Sequence, residues 1–77
     1  MKQNYNLEET IKRQHQHGIY MQLNNLAQSN NYSEAMYWQV NILNRLDIMK
    51  RKFPDVQPIY KEMYVNLMTI KTVEWNK

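Results

Sequence analysis

The chain has no cysteine, one glycine and two prolines in 77 residues. Without cysteine there is no disulfide framework and no thiolate metal site. A fold of this size then relies on well-packed helices or on a partner, because it buries only roughly 60% of its unfolded surface. The shortage of glycine and proline encodes few turns, which favours a few long helices over many short strands. Alanine is scarce as well, with only Ala27 and Ala35. The opening MKQNYNLEET lacks the apolar core of a signal peptide. No apolar run approaches the roughly 20 residues of a membrane span. The sequence therefore predicts a cytoplasmic protein without a membrane role.

What is abundant is asparagine, ten residues, and tyrosine, six. Asn, Lys, Ile and Tyr have AT-rich codons. Their frequency points to an AT-rich genome, such as a low-GC Gram-positive bacterium, its phage or another mobile element. The formal net charge is +3. That admits an acidic partner without demanding nucleic acid.

Three segments carry helical periodicity, over about 7–28, 32–52 and 58–75. In the first, Asn6 is the expected cap, with Glu9 at capping-box spacing. Its apolar stripe is Leu7, Ile11, Ile19, Leu23 and Leu26, interrupted by His15 and Gly18. Gly18 costs about 1 kcal/mol inside a helix relative to alanine. It marks either a close helix crossing or a break. The second segment follows QSNNYS, where Asn31 and Glu34 have capping-box spacing. Its stripe is Ala35, Trp38, Ile42, Leu46, Met49 and Phe53, with Leu43 beside it. The third follows FPDVQP. Pro54 removes Phe53 from helical geometry, and Pro58 suits a first turn. The expected core stripe here is Ile59, Met63, Leu67, Ile70 and Val73. Short loops between long helices predict an all-α, three-helix, up-down-up antiparallel bundle.

Apolar residues remain once these stripes are assigned. Tyr37, Val40 and Ile48 fall opposite the second helix's seam, with Asn44 in their line. Tyr60, Tyr64, Met68 and Trp75 flank the third helix's stripe, with Lys71 among them. Tyr, Trp and Met are enriched at protein interfaces, and methionine adapts to irregular partners. These seven residues are the expected contacts with a partner protein or a second copy. LAQSNNYSEAMYWQVNIL resembles the turn and second helix of a tetratricopeptide unit on Tyr32, Ala35 and the NNY-EA turn. Gln22 and Leu23 depart from that family's Leu-Gly step, and no tandem repeat follows. The resemblance implies a helical hairpin.

Chemistry finds little footing. His15 and His17 lie about 200° apart on a helix, so they cannot chelate one ion together. Glu8, Glu9 and Glu34 sit in first turns and Asp55 near the start of the third helix, where the dipole favours an acid. No carboxylate pair, nucleophile motif or glycine-rich phosphate loop is present. No enzyme activity, metal, cofactor or small-molecule substrate is expected. KRKF, with Arg45 upstream, is the basic run. It reads as a helix C-terminus neutralised by cations, or as a phosphate-contact patch of Arg45, Lys50, Arg51 and Lys52. The leading functional expectation is a small accessory, inhibitor or regulatory protein that docks helix surfaces. The alternative is a nucleic-acid-binding regulator, and a purely structural oligomer subunit is the third.

Overall fold

A computed structural model describes residues 7–75. The three helices are α1 (Leu7–Ala27), α2 (Tyr32–Lys52) and α3 (Gln57–Trp75). They form an all-α bundle in which each helix packs on the other two. Chain contacts give its sense. On α2 and α3, Gln39 faces Met68 and Tyr32 faces Trp75, so these helices run antiparallel. On α1 and α3, Lys12 meets Asp55, Gln16 meets Tyr60 and Lys71 meets Ser29, so these run parallel.

Local chemistry explains the breaks. Asn31 has extended backbone, and its side chain accepts a 2.8 Å hydrogen bond from the Glu34 N–H. The Glu34 carboxylate reaches back to the Asn30 N–H at 2.8 Å. This is a capping box displaced by one residue, and it satisfies two donors at the start of α2. At the other end Phe53, held before Pro54, leaves helical geometry at φ −135°, ψ 61°. Its carbonyl accepts from the N–H groups of both Val56 and Gln57, which turns the chain into α3. Pro58 sits in the first turn of α3. The cap expected at Asn6 lies outside the described residues.

The core is Ile19, Leu23, Leu26, Ala35, Ile42, Leu46, Met49 and Phe53. All eight come from α1, α2 and the residue that ends α2. The stripe expected on α2 is therefore the inward face, with Trp38 half-buried beside it. On α1 the stripe turns inward from Ile11 onward, but Leu7 is exposed.

The third helix corrects the sequence reading. Ile59, Met63, Ile70 and Val73, expected in the core, are 57%, 38%, 56% and 58% exposed. The inward face of α3 is instead Tyr60, Tyr64, Leu67, Met68 and Trp75, all half-buried. The physical reason is polar. The inward face also carries Gln57 and Lys71, the two buried residues of α3. Gln57 donates to the Leu46 carbonyl at 3.4 Å, and Tyr60 donates to Gln16 at 2.9 Å. Lys71 donates to the Ser29 carbonyl at 3.0 Å. An aliphatic face has nothing to offer the amides and carbonyls that α1 and α2 present there. The amphipathic face brings both ring area and partners.

Lys71 thus ties α3 to the α1–α2 turn. Replacing it with methionine keeps most of the stem packing but strips the buried Ser29 carbonyl of its lysine donor. We expect Lys71→Met to cost about 1–2 kcal/mol in urea unfolding. A change within about 0.3 kcal/mol means that solvent satisfies the carbonyl equally well.

Candidate functional site: an uncharged surface across α2 and α3

The residues expected to touch a partner divide between two environments. Tyr37 and Val40 project from α2 and are 62% and 54% exposed. Tyr37 rests edge-on against Trp38, with ring centroids 4.9 Å apart. Ile48 is half-buried. On α3, Tyr60, Tyr64, Met68 and Trp75 pack against the core. Trp75 lies edge-on to Tyr32 at 5.5 Å, and Met68 sulfur accepts from Gln39 at 3.2 Å. Burial raises the Tyr64 phenol above its ordinary pKa, partly offset by a hydrogen bond with Gln39. These four side chains are largely occupied within the bundle.

Their place at the surface is taken by others. Met36 and Leu43 join Val40 along α2 at spacings of three and four residues, and all three are exposed. On α3 the exposed line is Ile59, Met63, Ile70 and Val73, and Val65 is exposed as well. Tyr64, Val65, Met68, Thr69, Thr72 and Val73 line a shallow groove along α3. On α2 and α3 the facing residues are Gln39 with Met68 and Tyr32 with Trp75. Residues 35–44 contain no Asp, Glu, Lys or Arg, and neither do residues 63–70. The cations that bound these runs, Arg45 and Lys71, both turn inward. Each run is a stretch of helix with exposed large apolar groups and no charge of its own, which is the composition of an interface centre. Two charge-free runs of this length could have been read from the sequence. The inward turn of the two bounding cations could not.

The basic set is not brought together. Arg45 points between α1 and α2, where its guanidinium donates to Gln22 at 3.1 Å and lies 3.0 Å from His15 Nδ1. His15 also faces the Phe53 ring at 5.6 Å. Burial first, then the Arg45 and Lys52 charges, hold the His15 pKa below its ordinary value. Arg51 is paired with Asp47 at 2.8 Å. Lys50 and Lys52 are exposed. Lys52 shares a cleft of about 540 Å³ with Glu8, Glu9, Ile11, Lys12, Phe53 and Asp55. Lys12 and Asp55 pair across it, and their hydrogen bond raises the lysine pKa and lowers the aspartate's. Acids and cations alternate at this end, which does not make the continuous positive field that phosphate binding uses.

Arg45 also explains Gly18. Helix α1 runs unbroken through it, and a Cβ at that position would lie 2.7 Å from the Arg45 guanidinium carbon. The glycine makes room for a close crossing. Alanine gains about 1 kcal/mol of helix propensity but must displace a guanidinium held by Gln22 and His15. We expect Gly18→Ala to stabilise the Arg45→Ala background by about 1 kcal/mol. In the native background the gain should vanish, a coupling of about 1 kcal/mol in a double-mutant cycle. Equal effects in both backgrounds would contradict the crossing.

Among the described residues, no group of three or more His, Cys, Asp or Glu side chains gathers to hold a metal ion. No described helix is long and apolar enough to cross a membrane. No protein-family model matches the chain, and neither curated proteins nor solved structures yield a match.

Proposed function

We propose that this protein is a small, non-enzymatic binding factor that docks onto another protein chain through the outer surface of α2 and α3. Occlusion or assembly, without chemistry, is its mode of action. This is how an accessory, inhibitory or regulatory protein of a phage or other mobile element would act. The observation that carries the reading is the coincidence of exposed Tyr37, Val40, Leu43, Met63 and Ile70 with two charge-free helix runs. Burying such a surface is favourable at about 25 cal/mol per Å² of apolar area. An interface centred on it is desolvated without leaving a charge unpaired.

The revision to the expected contact set follows from packing. Tyr37 and Val40 remain contacts, and Met36, Leu43, Ile70 and Val73 join them. Tyr60, Tyr64, Met68 and Trp75 support the surface from beneath. Nucleic-acid binding is the weaker reading, because Arg45 is committed inside the bundle and Arg51 to Asp47.

Salt and nuclease separate the two readings. A partner captured by the immobilised protein should survive nuclease treatment and change little between low and high salt. Capture through phosphate contacts would fall steeply as salt rises. Tyr37→Glu with Val40→Glu should abolish capture while leaving the helical signal and melting temperature nearly intact. Collapse of the fold would place that stripe in the core and sink the proposal.

A further inference from the structure

The outer line of α3 has more regularity than a merely sticky surface needs. Ile59, Met63, Asn66, Ile70 and Val73 recur at spacings of 4, 3, 4 and 3. That is the heptad rhythm of a helix–helix seam, sustained over about 21 Å. All five are exposed. The bundle leaves this seam without a partner helix, because its own contacts use the opposite side of α3.

We infer that the seam pairs with the same seam of a second copy, the two α3 helices crossing antiparallel about a twofold axis beside Asn66. The inference rests on the docking reading above and names one occupant for part of that surface. Three features select a copy over an unrelated helix. The first is Asn66, which stands at the midpoint, with two apolar positions on each side. An amide buried in an apolar seam needs a polar group at its own level. A twofold axis supplies the identical amide, which donates and accepts in return. The second is the charge pattern of α3. Acids occupy the first turns of α1 and α2, but none lies in the first turn of α3. Glu74 instead sits at the C-terminal end of α3, where the helix dipole opposes it and Lys71, 3.5 Å away, is its cation within the chain. Antiparallel pairing centred on Asn66 brings the copy's Glu74 level with the first turn of α3, and so places an acid at each N-terminal end. Parallel pairing would gather both acids at the unfavourable end. The third is the flank. The same crossing sets Glu62 level with the copy's Thr69 and Ile70, so the two Glu62 side chains do not meet, and the copy's Lys71, level with Lys61, is turned into its own bundle.

The absence of cysteine makes the geometry testable by single thiols. Facing Cα atoms of helices packed 8–10 Å apart lie within the about 4.4–6.8 Å reach of a disulfide. In oxidising buffer Asn66→Cys should form a disulfide-linked dimer. Ile59→Cys and Val73→Cys should link to each other when mixed, but neither should link to itself. By sedimentation equilibrium the unmodified chain should show a reversible dimer at micromolar concentration. Ile70→Glu should shift its dissociation constant by at least about 100-fold while keeping the helical signal. Self-linking of Ile59→Cys would overturn the antiparallel arrangement. A monomer at every concentration, with no linking of Asn66→Cys above a control thiol at exposed Arg13, would overturn the pairing. That second result leaves the docking reading standing if Val40→Glu on α2 still abolishes capture. Loss of neither association nor capture on these substitutions removes both.

Discussion

Leu46→Ala should lower the unfolding free energy by about 2–5 kcal/mol, as buried leucines do. Leu46 is 4% exposed and lies in the inward stripe of α2. Its backbone carbonyl accepts from Gln57, so the same residue anchors both the core and the start of α3. The cost is severe for a chain this small. At about 0.05–0.15 kcal/mol per residue, the whole fold is worth about 4–12 kcal/mol. Among the described residues, eight buried apolar side chains supply it. Urea unfolding followed by circular dichroism measures the change, with the slope unchanged if the fold is retained. A loss below about 0.5 kcal/mol is the surface range and would mean that the α1–α2 seam is misplaced.

The second large effect is a contrast within α3. Tyr64→Ala should cost about 2–3 kcal/mol, because its ring packs on the core and its environment is dry enough to raise the phenol pKa. Ile70→Ala should change the stability of the monomer by no more than about 0.5 kcal/mol, since more than half of that side chain already meets solvent. By hydrophobicity alone the order would be the reverse. Measured at protein concentrations low enough to exclude association, the pair tests which face of α3 the bundle buries. A larger loss at Ile70 than at Tyr64 would restore the aliphatic stripe to the core and remove the proposed surface.

The contrast also shows how far the sequence could be read. On α2 the line from Ala35 to Phe53 is the longest regular apolar stripe, and period and burial agree along it, with Trp38 half-buried. The turns are legible for the same reason. Asn31 with Glu34, and Pro54 with Pro58, have few alternative roles. On α3 two apolar stripes compete, and periodicity fits both. The choice is made by Gln57, Tyr60 and Lys71, whose polar atoms complete hydrogen bonds on α1, α2 and the loop between them. Those partners belong to segments distant in sequence, so no local pattern reveals them. The same limit applies to Arg45. Its position near KRKF suggests an exposed cation, but the gap opposite Gly18 draws it inside. Of the surface itself, Tyr37 and Val40 were legible as residues opposite a seam. Ile70 and Val73 were not, because they imitate a core.

The most direct test of the central claim compares capture of partner protein by two charge-altered variants at matched concentration. One carries Val40→Glu with Ile70→Glu, which places acids on the charge-free surface. The other carries Lys50→Glu with Lys52→Glu, which reverses the exposed cations at the end of α2. Both change only side chains that meet solvent, so both should stay folded. The account predicts that the first loses capture and the second retains it. Retention by the first and loss by the second would contradict it, and would assign binding to the charged end of the bundle.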